Sequence, residues 1–333
     1  MLKIKDILII VIAVLLAGCS SDDIMTGGGL EASPNSDEWD IKPGDPVAFT
    51  LLPSVKAQTR TIGPDTEFVG DYDDIENGYE LAIEMFGESS GSMESAVYSV
   101  TDGALTPKTS GSQLYWPDNT QAYGFKATAG TAMLGADQST RADYLLQDKL
   151  EGYAFVPLND SENPSTPQYT ADGLNYKTSK QWKTANANFG VTDSEKQKII
   201  PLYLKHLRSR ITVILKAGAG VARATLATAS NITMKIYSYK EGETPKEITP
   251  YPTATTVNYT ASDSGGAEDN VATTQYEAIV EPYNYQTGDN IAEITLTTSN
   301  KTFTYKPSND PSEDKSAYNL TAGKHLTITI TLP

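Results

Sequence analysis

Apolar residues recur at every second position through much of this chain, the period of a strand that buries one face. Val47, Phe49 and Leu51 share one parity, and so do Tyr79, Leu81, Ile83 and Met85. Leu114-Tyr115-Trp116 runs into Pro117-Asp118-Asn119, a strand ending in a turn, and Tyr123-Gly124-Phe125-Lys126-Ala127 resumes as the next strand. Ile200, Leu202 and Leu204 hold one parity while Ile211, Val213 and Leu215 hold the other. A strand through that stretch needs a bulge or bend close to His206, where a chain that changes faces often passes between sheets. Further strands are predicted at Ile232 to Ile236, Tyr276 to Val280, Ile291 to Thr297 and Thr302 to Tyr305, separated by turns rich in Gly, Pro or Asn. The chain closes with Leu326, Ile328, Ile330 and Leu332 alternating with threonine. Only the segment from Asn159 to Asn188 breaks the pattern; its Pro, Ser, Thr, Asn and Gln predict a long connection with one short helix.

Short strands in two blocks, with no helix-strand alternation, place the chain in the all-β class as two β-sandwich domains in tandem. The N-terminal domain is expected over residues 46–198 and the C-terminal domain over 199–333. Residues 1–18 have a different character. Lys3 and Lys5 precede an apolar run, Ile7 to Leu16, that is too short to span a bilayer stably and ends in Ala17-Gly18 before Cys19. This resembles the lipobox of bacterial lipoproteins, in which the cysteine is lipidated and becomes the first residue of the mature chain; several acyl chains anchor far better than one. An ordinary signal peptide with an incidental Cys19 is the alternative. Residues 19–45, with Ser20-Ser21-Asp22-Asp23, three consecutive glycines and Pro34 and Pro43, read as a lipidated flexible tether.

Charge and cysteine count narrow the function classes. The formal charge is −16, and removal of the leader, net +1, leaves −17, which disfavours nucleic acid and anionic lipid surfaces. Cys19 is the single cysteine, so there is no disulfide and no thiol nucleophile once it carries lipid. Gly87-Glu88-Ser89-Ser90-Gly91 matches the G-x-S-x-G nucleophile elbow, yet no amphipathic helix follows it, no α/β alternation surrounds it, and the only histidines are His206 and His325 on predicted strands. A Gly/Ser hairpin loop is the better reading, and no catalytic residue is assigned. Asp71, Asp73, Asp74 and Glu76 form an acidic cluster, and Asp73, Asn77, Gly78 and Glu84 fall on EF-hand positions, but Ile75 occupies a ligand position and Tyr79 already begins a strand, so the cluster reads as a solvated loop. Two distant histidines give no zinc site, and Asp310, Glu313 and Asp314 read as a charged turn. No metal or cofactor is expected. Lys56 to Pro64 reads as an exposed polar loop in which Arg60 is a protease-accessible position or simply a surface arginine, with Lys56 as a competing site.

Taken together these pieces resemble the fimbrillin family of Bacteroidetes, the subunits of type V pili. The carrying residues are the lipobox at Cys19, Val47-Ala48-Phe49-Thr50 followed by Thr59-Arg60, Tyr115-Trp116-Pro117 with Tyr123-Gly124-Phe125, Leu202 through Val213, Ile279-Val280-Glu281-Pro282, and Ala322-Gly323-Lys324-His325-Leu326. The resemblance implies tandem transthyretin-like β-sandwiches exported as a lipoprotein to the outer membrane. It implies cleavage between Arg60 and Thr61 by an arginine-specific protease, which removes Cys19 together with the strand carrying Val47, Phe49, Leu51 and Val55. The groove left behind would accept a strand from another fimbrial subunit, with Leu326, Ile328, Ile330 and Leu332 as the candidate donor. Partners are then other fimbrial subunits, the lipoprotein export machinery, the protease and a host or bacterial surface ligand; the destination is a surface fimbrium. The competing reading is a non-polymerising surface lipoprotein, including a tip or anchor component, that binds glycans or host proteins by stacking on Trp116, Trp182 or tyrosines.

Overall fold

A computed structural model of the chain describes residues 41–51, 60–62, 67–71, 75–155, 174–188, 192–260, 269–307 and 318–333. The described residues are all-β in class, and residues 40–333 form one compact unit. Nine strands run up to His206: β1 (Phe49–Leu51), β2 (Arg60–Ile62), β3 (Glu67–Asp71), β4 (Glu80–Gly87), β5 (Gly91–Thr101), β6 (Ala104–Pro107), β7 (Tyr123–Ala129), β8 (Leu150–Ala154) and β9 (Ile200–His206). Seven of them close into a barrel in the order β1-β6-β5-β4-β7-β8-β9, so this set has no free edge. Every neighbouring pair is antiparallel except β1 with β9, which is parallel.

The alternation seen in the sequence sets the barrel interior. Leu81, Ile83 and Met85 of β4 and Phe125 and Ala127 of β7 are buried, while the residues between them face outward or lie half-buried. Aromatic edges fill the centre: Phe49 meets Tyr98 at 5.4 Å and Phe125 at 5.3 Å, and Trp116 meets Tyr123 at 5.9 Å and Phe125 at 5.7 Å, all T-shaped. Gly152 is needed for β8 to approach β9, since a Cβ there would lie 2.0 Å from the Tyr203 carbonyl oxygen. Helix α1 (Arg141–Gln147) starts where the Thr140 side chain accepts from the Asp143 N–H at 3.1 Å. Helix α2 (Ser179–Asn188) is opened by reciprocal bonds between Thr178 and Gln181, a capping-box arrangement, and buries Trp182 in the core. A further single turn, α3 (Ser194–Gln197), leads into β9.

The second strand system begins at β10 (Ser209–Ala217), followed by the short helix α4 (Arg223–Leu226), β11 (Ile232–Ser238), β12 (Lys246–Ile248), β13 (Tyr251–Tyr259), β14 (Asp269–Val280), β15 (Tyr283–Asn284), β16 (Ala292–Leu296), β17 (Lys301–Tyr305), β18 (Asn319–Leu320) and β19 (Lys324–Leu332). One sheet has the order β13-β14-β10-β19-β3-β2 and another the order β12-β11-β16-β17. The parity change near His206 is a crossing: β9 ends in the barrel, and after Leu207-Arg208 the chain re-enters as β10 in the six-stranded sheet. β2 and β3 also pair outside the barrel. Although they come early in the chain, they extend the sheet built from residues 209–332.

Candidate assembly site

Strand β1 is short, yet it completes the barrel. Phe49, Thr50 and Leu51 pair parallel with Ile200, Pro201 and Leu202, and Thr50 pairs antiparallel with Ala104 of β6. The Ile200 N–H donates to the Ala48 carbonyl at 2.8 Å, and the Val47 N–H donates to Leu114 at 2.8 Å. Val47 and Phe49 point into the core, and Leu51 is half-buried against it. Residues 47–51 therefore act as a wedge between β6 and β9: few backbone bonds, large apolar side chains. Withdrawing them would uncover the rings of Tyr98 and Phe125 and leave the backbone edges of β6 and β9 unpaired, a costly exposure. Val55, like Lys56 and Cys19, lies outside the described residues.

Arg60 and Thr61 do not lie in a loop as expected. They begin β2, with Arg60 opposite Val69 and Thr61 opposite Phe68, at the edge of the six-stranded sheet. The short Arg-Thr-Ile run has the β-branched residues a strand favours, and the loop reading gave its polarity too much weight. The candidate donor residues sit in the interior of the same sheet. β19 pairs parallel with β10 from Arg210 to Ala217 and antiparallel with β3 from Lys324 to Ile328. Leu326, Ile328 and Leu332 are buried and Ile330 is half-buried.

Trp116 and Trp182 are 1% and 0% exposed, and the Trp182 indole N–H donates to the Tyr123 carbonyl at 3.3 Å. Both are core residues, so neither offers a face for stacking a sugar. Gly87 to Gly91 is the β4–β5 turn, with the Ser90 N–H donating to Gly87 at 3.1 Å. Glu76 of the acidic segment is drawn into ion pairs with Arg141 and Arg210, each at 2.9 Å.

Several polar residues that strand periodicity alone did not pick out tie the barrel to the second strand system. Gln138 makes two 2.8 Å bonds with the backbone of Ile279, donating to its carbonyl and accepting from its N–H. Buried Arg208 donates to the carbonyls of Gln147 and Ala132 and to Glu281. Within the barrel itself, His206 Nδ1 lies 2.8 Å from Asp148, whose carboxylate also receives the Tyr79 hydroxyl. On β19, His325 Nδ1 accepts from Arg210 at 3.2 Å, which leaves Nε2 as the protonated nitrogen facing the Thr212 hydroxyl at 2.8 Å. Burial first, and the Arg210 guanidinium second, hold the His325 pKa down to about 3. Among the described residues no group of side chains is arranged to hold a metal ion.

The model of a family described as fimbrillin-like matches residues 59–333. No curated protein matches the sequence. Among solved structures, a Bacteroides uniformis protein assigned provisionally to cell adhesion is 14% identical, with 86% of this chain and 92% of that one covered and a TM-score of 0.42. A fimbrial protein from Bacteroides ovatus is 13% identical, with 88% and 51% covered and a TM-score of 0.38. A Bacteroides fragilis protein, also provisionally a cell adhesion protein, is 14% identical, with 88% and 91% covered and a TM-score of 0.40. Structural likeness at that level carries no argument, whereas the family match spans most of the sequence. The chain belongs to the fimbrillin-like family.

Proposed function

We propose that this protein is a structural subunit of a cell-surface fimbria that supports adhesion, exported as a lipoprotein through Cys19 and activated by a cut between Arg60 and Thr61. The observation that carries the reading is the seating of β1. A three-residue strand with one antiparallel partner position closes a barrel whose aromatic centre it fills. A cut after Arg60, the first residue of β2, severs the covalent link between β1 in the barrel and the rest of the β2–β3 hairpin in the other sheet, so residues 47–51 remain only by noncovalent contacts. A strand from another subunit that supplies better pairing along β6 and β9 then displaces them. Because donor and acceptor are different surfaces of one chain, the contact is head-to-tail and propagates as a filament. If β19 is the donor, it leaves β10 and β3 first, giving up the burial of Leu326, Ile328 and Leu332 to regain it in the neighbour's groove. The family match begins at Thr59 and leaves β1 outside it, which agrees with β1 being dispensable in the mature subunit.

The test is to treat the folded precursor with an arginine-specific protease, sequence the new N-terminus and follow assembly by light scattering. A start at Thr61 with concentration-dependent polymers is expected. A clean cut at Arg60 that leaves a stable monomer, or cleavage confined to other sites, would overturn the scheme.

A further inference from the structure

The two large sheets end in edge strands of unequal character. β2 carries Arg60, β12 carries Lys246 and Glu247, and β17 begins at Lys301. Charged edge residues keep foreign strands away. β13 is longer than any of these, nine residues, and its sequence Tyr-Pro-Thr-Ala-Thr-Thr-Val-Asn-Tyr has no charged side chain. Among the described residues its only sheet neighbour is β14, along its whole length from Tyr251↔Glu277 to Tyr259↔Asp269.

Pro252 shows which backbone groups are open. It stands opposite Tyr276 inside this ladder without an N–H to contribute, and a sheet accommodates proline where that position faces away from the neighbouring strand. In an antiparallel strand alternate residues turn their N–H and C=O to the same side. Ala254, Thr256 and Asn258 share the parity of Pro252, so their backbone groups point to the open edge, and the side chains of all three are exposed.

We propose that the β13 edge is a lateral self-association surface, through which two copies of this chain pair antiparallel about a two-fold axis at Thr256. The register is self-complementary: Thr256 faces its counterpart, and Ala254 faces Asn258 of the other copy. Each such pair exchanges two backbone bonds, about six in all. A Thr-Thr cross-strand pair is favourable and no like charges are opposed. A chain of net charge −16 repels a second copy over most of its surface, and a second copy fits here because this register sets no charged side chain of β13 against another. The edge is separate from the β6–β9 groove, so lateral pairing joins subunits side by side whether or not strand exchange occurs.

Cysteine scanning tests the register in the full chain with Cys19→Ser, which leaves an introduced thiol as the only one. Thr256→Cys is expected to form a covalent dimer on mild oxidation, because residues directly opposite lie about 5.5 Å apart between Cα atoms, within disulfide reach. Ala254→Cys and Asn258→Cys singly should not, since each lies about 14 Å from its own counterpart, while the double variant should. Thr256→Pro removes an N–H that only the second copy uses. It should weaken dimerisation by sedimentation at least tenfold with unchanged near-UV circular dichroism. Should that variant lose its tertiary signal, Thr256→Lys, which opposes two like charges, takes its place with the same expected loss. Equal cross-linking at all three single cysteines, a dimer insensitive to these substitutions, or a wild-type chain that stays monomeric at its highest soluble concentration would overturn the proposal; the last would leave the edge to a foreign strand.

Discussion

Replacing His325 by glutamine should remove the loss of stability in mild acid that this side chain causes. In the native sheet the ring is neutral, accepting from Arg210 through Nδ1 and facing Thr212 and Thr327 through Nε2, while Glu76 and Tyr144 approach Arg210 from the barrel side. Adding a proton at Nδ1 would set an N–H against the Arg210 guanidinium in a site already poor in water. The folded pKa is accordingly held at about 3, against about 6.5 for a free histidine. A pKa lowered by folding means that the unfolded chain binds the proton more readily. The stabilisation is therefore complete above about pH 6.5 and is lost progressively as pH falls toward about 3. Going from about pH 7.5 to about pH 5.5, this one site should cost ~1.4 kcal/mol. Wild type and His325→Gln differ at this one side chain, so the difference between their pH dependences isolates the site. Glutamine can still accept from Arg210 and donate to Thr212, which preserves the local bonding. Urea unfolding followed by the buried Trp116 and Trp182 gives the assay. Equal loss of stability in both proteins between those two pH values would refute the reasoning, as would a wild type with no loss at all.

Two further outcomes follow from the same geometry. Phe49→Ala should destabilise the uncut chain by about 3–5 kcal/mol, because it removes the side chain that meets both Tyr98 and Phe125; the chain already cut after Arg60 and freed of β1 should be indifferent to it. Denaturant midpoints before and after cleavage check this. Gln138→Leu should cost at least about 2 kcal/mol, since it leaves the buried N–H and C=O of Ile279 without partners, and hydrogen exchange at Ile279 should rise with it.

Strand periodicity made much of this architecture legible. The parities around Phe49, Ile83 and Ile328 placed strands where β1, β4 and β19 run, because a side chain's inward or outward direction is a local property of the backbone. Helix α1 was missed although Thr140 and Asp143 stand at capping spacing before a short helical turn, a signal outweighed by the surrounding alternation. Sheet membership is a different matter, since two strands of equal pattern can pair with any neighbour of matching parity. Nothing near Phe68 indicates that it will lie beside Thr327, more than 250 residues away. The polar bridges were hidden for the same reason. Gln138, Arg208 and His325 look like surface residues until the chain brings Ile279, Gln147 and Arg210 beside them. The consequence is greatest at Arg60. Read locally it is an arginine in a polar stretch; in the fold it is the first residue of the β2–β3 hairpin, which the other sheet holds beside β19, and it follows β1, which the barrel holds. A cut after it separates the strand that fills the barrel from the strands that cover the C-terminal one, and only the long-range pairing makes that position distinct from any other arginine of the chain.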